Sequence, residues 1–214
     1  MSFIWVSLAL GACATSPVGP AIDPAVRQAR LAELDEFSFT GALGIWTDEQ
    51  SMSGRIQWQQ SGKNLAVKLT GPFGIGEMAL TDSPRYASFS RSGNVVSSGD
   101  SVDEVLQAGL GLAVPVPVQQ LKSWVRGLPG DGRSVVTDEL GRLSSLRFTD
   151  GQGTRWSARV LRYTTLDGLD VPGLILASGG KYSVRLLLKN WKASVHFAVQ
   201  EEKPPNTRLV IPSR

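Results

Sequence analysis

The sequence predicts an α+β protein: a strongly curved antiparallel β-sheet of about ten strands with a few short helices on one side. Three observations carry that prediction. Apolar residues recur at every second position over two long stretches, 37–80 and 146–188. Gly-rich connections short enough for hairpins separate the runs, and 23 glycines, 12 prolines and 6 tryptophans fit a turn-rich sheet protein. Between the stretches lies a segment with helix caps and breakers, so helices are inserted between two sets of strands. A sheet that wide curls, and its apolar face becomes concave.

The elements follow in order. Residues 1–12, MSFIWVSLALGA, form an apolar run closed by small residues, too short for a permanent membrane helix of about 20 residues. Such a run reads as an export signal, although no Lys or Arg precedes it as in the usual n-region. Residues 13–24 are rich in Pro and Gly and read as a tether. Asp23-Pro24 then opens a capped helix running to about Asp35, with Val26, Ala29, Leu31 and Leu34 along its apolar stripe.

From Phe37 the period is two. Phe37, Phe39, Leu43 and Ile45 form one set; Ile56 and Trp58, then Leu65, Val67 and Leu69, then Met78 and Leu80 continue it. Ser101-Val-Asp-Glu104 offers a capping box for a short helix through Val105, Leu106 and Leu110. Pro115 and Pro117 interrupt, and Gln119–Arg126 forms a second helix, ended by Gly127 in the left-handed position and by Pro129. Strands return at Leu146, Trp156, Leu174 and Tyr182, with Asp150-Gly151 and Gly179-Gly180 as hairpin turns.

The exclusions are equally informative. A formal charge of +3 with scattered Lys and Arg gives no nucleic-acid footprint. One cysteine makes neither a disulfide nor a zinc site. The single histidine, His196, has no Gly-x-Ser-x-Gly elbow to serve, and no phosphate loop is present, so no enzyme and no cofactor is expected. Periodicity leaves one question open. An apolar trough only partly filled by its helices is a place for acyl chains; the same pattern suits a sheet and helices packed without a cavity.

Two groups of residues carry a resemblance. Leu10-Gly11-Ala12-Cys13 resembles a bacterial lipobox, in which the Cys13 sulfur is acylated; two or more chains give stable anchoring. The stretch from Leu112 to Asp131, with Leu121, Trp124 and Gly127-Leu128-Pro129-Gly130, resembles a signature of the LolB family of outer-membrane lipoprotein receptors. The loop Gly71-Pro72-Phe73-Gly74, Trp58-Gln59-Gln60 and Asn190-Trp191 are lesser echoes. The resemblance covers nearly all of the chain to Trp191, giving a receptor domain over 25–192 and a C-terminal extension, 193–214, without an assigned role.

The resemblance implies a half-open barrel of ten or eleven strands, with short helices as a lid over an apolar cavity. It implies a monomer tethered to the outer membrane at its periplasmic face, with Ala14 rather than the Asp found after the lipidated Cys of inner-membrane lipoproteins. Its partners would be a LolA-like periplasmic carrier, the acyl chains of lipoprotein cargo, and outer-membrane lipid. Phe73, with Ile75 in support, would form a membrane-insertion loop; the bland alternative folds Phe73 under its hairpin. Leu121 and Trp124, three apart on one helix face, would close the trough, and Leu65, Val67 and Leu69 would line it. Trp58 and Trp156 read as plain core, and Arg55 as a solvated strand residue. A scaffold for an outer-membrane complex and a small-lipid carrier are the competing functions.

Overall fold

The structure, a computed structural model, describes residues 23–49, 51–74, 76–112 and 116–193, with the backbone but not the side chain of Phe73. Cys13, Ile75 and His196, and with them the lipidation site, lie outside the described residues.

Eleven antiparallel strands form one sheet in two meanders. The first is β1 (Glu36–Trp46), β2 (Ser51–Ser61), β3 (Asn64–Thr70), β4 (Glu77–Ser83), β5 (Tyr86–Arg91) and β6 (Asn94–Gly99). The second is β7 (Arg133–Thr137), β8 (Leu143–Thr149), β9 (Arg155–Leu166), β10 (Leu169–Gly179) and β11 (Tyr182–Ala193). The strand order β6-β5-β4-β3-β2-β1-β11-β10-β9-β8-β7 joins the meanders through β1 and β11 alone. Strands β6 and β7 are free edges, so the sheet is curved but unclosed, as a half-open barrel requires.

The β1–β11 seam explains an otherwise odd pair of residues. A bulge shifts the register between Ser38 and Thr40, where Asn190 takes φ 52° and donates from Nδ2 to Thr40 Oγ1 at 2.8 Å. Asparagine tolerates that left-handed conformation better than most residues. The bulge turns Trp191 onto the rings of Phe37 and Phe39, at 5.4 and 4.9 Å between centroids. Next to it Gly41 lets the strands approach closely: a Cβ there would lie 1.7 Å from the Leu187 carbonyl oxygen.

Three helices accompany the sheet. Helix α1 (Pro24–Glu33) is capped by Asp23, whose Oδ1 accepts from Ala25 N at 2.8 Å. Its buried residues are Arg27 and Leu31, whereas Val26 is exposed, so the expected stripe is only half right. The helix rotates because Arg27 lies over the Tyr163 ring, 5.9 Å from its centroid. Helix α2 (Val102–Leu110) is capped by Ser101 and ends at Gly111 with φ 68°. Helix α3 (Val118–Trp124) ends as expected at Gly127, φ 80°, where Gly127 N bonds Trp124 O and Leu128 N bonds Ser123 O.

The registers give the sheet two rims. One, here the upper, carries the turns after β1, β3, β5, β8 and β10. The lower carries the turns after β2, β4, β7 and β9. The chain leaves β6 at the lower rim, crosses the concave face as α2 and α3, and enters β7 at the upper rim.

A candidate acyl-chain cavity beneath two helices

Alternation sends one set of side chains from each strand to the concave face. Cross-strand pairing then builds rows: Phe39–Trp58–Val67–Leu80–Phe89 is one, and Ile56–Leu69–Met78 the next towards the upper rim. Helices α2 and α3 lie across these rows without filling the space. The remainder is a cavity of about 70 Å³ whose lining residues are all apolar. Val67, Leu69 and Leu80 belong to its floor, and Leu106, Leu110 and Leu121 to its roof. Leu43, Ile45, Met52 and Met78 carry it to the upper rim.

The roof is attached on both sides of α2. Arg91 donates to Gly109 O at 2.9 Å, a cation against the helix C-terminus, and Ser97 Oγ donates to Val105 O at 2.7 Å. Gly109 is the point of contact with β5, since a Cβ would fall 2.2 Å from the Phe89 ring.

A polar latch holds α3 at the lower rim. Asp82 points inward from β4 and is 5% exposed; it accepts from Lys122 Nζ and, at 3.1 Å, from Gln119 Nε2. Lys122 also donates to Lys63 O at 3.1 Å, in the β2–β3 turn. Asp103 at the start of α2 accepts from Gln119 N at 3.2 Å. Burial pushes the Asp103 carboxyl up to about 6, helped by the charge of Asp82 and opposed by Lys122 and by the backbone N–H groups of Gln119 and Val118. These residues, separated by up to 59 positions, left no local signal in the sequence.

Of the five residues expected around the trough, Val67, Leu69 and Leu121 line the cavity. Leu65 and Trp124 do not. Leu65 sits one row below, between Gln60 and Asp82, and is buried against the latch end. Trp124 turns to the other meander, wholly buried, with its ring edge-on to Phe148 and its Nε1 donating to Pro129 O at 3.3 Å. Trp58, read from sequence as plain core, lines the cavity and stacks on Phe39 at 5.6 Å; its buried Nε1 has no partner among the described residues. Trp156 is core and Arg55 is exposed. The Phe73 backbone forms a single 3₁₀ turn, Pro72–Gly74, on the upper rim.

An unclosed antiparallel sheet wrapped over short helices is a fold shared with solved structures of low sequence identity. A LolA-superfamily protein from Nitrosomonas europaea superposes with a TM-score of 0.52 at 14% identity, over 82% of this chain and 96% of that one. A DUF1329-family protein from Desulfovibrio piger gives a TM-score of 0.52 at 9% identity, over 82% and 92%. These likenesses define the class by fold alone: a curved, unclosed antiparallel sheet with short helices across one face.

Sequence narrows this further. Residues 35–191 match the family described as outer membrane lipoprotein LolB, and the chain belongs to that family. The outer-membrane lipoprotein LolB of Klebsiella pneumoniae is 30% identical over 86% of this chain and 93% of its own length. That of a Marinomonas strain is 28% identical over 85% and 91%. The chain is accordingly an outer-membrane, lipid-anchored protein, and no helix among its described residues is long and apolar enough to cross a membrane.

Proposed function

We propose that this protein accepts lipoproteins from a LolA-like soluble carrier, holds their acyl chains against the concave face, and passes them to the outer membrane. The observation that carries this reading is the wholly apolar cavity beneath helices latched at the lower rim and reaching the upper one. Exposing a C16 chain to water costs about 12 kcal/mol at ~0.8 per CH₂, so transfer must run from one apolar surface to the next. No energy source is needed if each acceptor binds more tightly than its donor.

A cavity of about 70 Å³ is well below the roughly 300–1,000 Å³ of enclosed ligand pockets. Cargo therefore enters by raising the α2–α3 segment from the sheet. The latch at Asp82 is the pivot of that movement, and the upper rim is the mouth. The Pro72–Gly74 turn stands at that mouth, and Phe73 would enter lipid as the chains leave.

The test uses mature protein bearing Cys13→Ala, mixed with carrier loaded with lipoprotein. Transfer to this protein is expected without nucleotide. Phe73→Glu is expected to fold and to accept cargo, yet to release it into liposomes at least tenfold more slowly; delivery at the parent rate removes the loop from the mechanism.

A second reading has its own observation. The free edges β6 and β7 expose Val95, Val96, Val135 and Val136, which suits a scaffold that adds a partner's strand. A fluorescent fatty acid bound by the protein and displaced by lipoprotein favours the receptor. Displacement by any small amphiphile favours a lipid carrier, and failure to bind it favours the scaffold.

A further inference from the structure

Arginines gather on the convex side of the second meander, away from the cavity. Arg133 on β7 stands directly opposite Arg147 on β8, and Arg155 on β9 lies opposite Thr149. The three border a groove of about 560 Å³, together with Ser157, Ser178 and Gly180. Phe148 and Trp156 also line it, and the hydroxyls of Ser157 and Ser178 are hydrogen-bonded to each other at 3.0 Å.

Like charges placed opposite each other across two strands are destabilising unless something compensates them. Among the described residues, none of these three arginines is in an ion pair. Carboxylates on this rim have other work: Asp131 accepts from Gln120 Nε2 at 2.7 Å. Asp150 accepts from the backbone N–H groups of Gln152 and Thr154 and from Trp156 Nε1, and Glu49 pairs with Lys181. Three guanidinium groups beside two hydroxyls form a donor-rich set with no carboxylate in the groove's lining, which is the chemistry of a phosphate site.

The registers place this groove on the upper rim, the same rim as the Pro72–Gly74 turn. Beside it, Val136 is exposed on β7 opposite Ser145, so cations and an apolar side chain lie close together on this face. We infer that the Arg133–Arg147–Arg155 groove binds the phosphates of anionic phospholipid and seats the upper rim on the membrane surface. The inference rests on the reading of the upper rim as the mouth through which cargo leaves. It adds what orients that mouth: a lipid anchor alone keeps the protein near the bilayer without fixing which end meets it.

The experiment measures sedimentation of the mature chain carrying Cys13→Ala, so that no anchor contributes. Vesicles are phosphatidylethanolamine with a quarter phosphatidylglycerol, or phosphatidylcholine alone, at low salt. The parent is expected to prefer the anionic vesicles. Each arginine near such a surface contributes about fivefold in affinity, so R147Q/R155Q should weaken that binding about thirtyfold. R162Q, an exposed arginine farther down β9, should change it less than twofold, and matching thermal melts will exclude misfolding.

Equal binding of parent and R147Q/R155Q to anionic vesicles overturns the proposal. So does a double variant that binds vesicles normally but no longer accepts lipoprotein from its carrier, because the groove is then a dock for an acidic protein. Phe73→Glu in the same assay separates the two ideas: unchanged binding and delivery refute the loop while leaving the arginine result to stand by itself.

Discussion

The two meanders share one sheet but treat their concave faces differently. The first, β1 to β6, supplies mostly Leu, Ile, Val and Met, with Trp58 and Phe89, at the positions that meet α2 and α3, and a hollow remains. The second, β7 to β11, supplies Trp156, Leu146, Ile175 and Tyr182, and with Trp124 of α3 these close the interior. Only Val184 and Leu186 of the second meander reach the cavity. Around the hollow the side chains leave space that a ligand can exchange for, while Trp124, Phe148 and Trp156 fill the other half. One half is a receptacle and the other a buttress.

Substitutions should expose that asymmetry. The largest effect is expected from Trp124→Ala, which removes a fully buried ring from the buttress and should cost about 4 kcal/mol in urea unfolding. Leu69→Ala, at the edge of an existing hollow, should cost only about 2 kcal/mol. Equal costs would mean that the two halves are packed alike.

Breaking the latch comes next. Lys122→Met leaves Asp82 buried without its cation, and about 3 kcal/mol of stability should be lost. Replacing both partners, D82L with K122M, should recover most of that loss while tightening the roof, so that cargo acceptance slows. A double variant as unstable as the single one would refute the latch as the source of the penalty.

The smallest effect is a dependence on pH. Asp103 titrates near 6 in the folded chain against an ordinary 3.8, so folding favours its protonated form. Its contribution is complete below pH 4 and is lost as pH rises through 6. Stability should thus increase on acidification from pH 7 to 5, and Asp103→Asn should flatten that part of the profile. An unchanged slope would show that the α2–α3 corner does not sense protons.

Much of this architecture was readable in the sequence because its causes are local. Ser101 and Gly127 announce the helix ends through their own backbone demands, and strict alternation marks β1 to β4. Strands β6 and β7 were harder to see: NVVSSG and RSVVT lie mostly or wholly exposed at the sheet edges, so neither needs an apolar alternation. The cavity was legible as a tendency but not in outline. Val67 and Leu65 occupy equivalent positions on one strand face, and only the path of α3 decides that one meets empty space and the other the latch. Asp82, Gln119 and Lys122 have no meaning until the fold gathers them.

The seam between β1 and β11 has a consequence for biogenesis. An exported chain emerges from its translocase in N-to-C order, and the strand that completes the β1 edge is the last to arrive. Until then the early meander waits with a raw hydrogen-bonding border, and contacts so distant in sequence form slowly. Newly secreted molecules should therefore depend on periplasmic holdases during that interval, more than a sheet built only from neighbouring hairpins would.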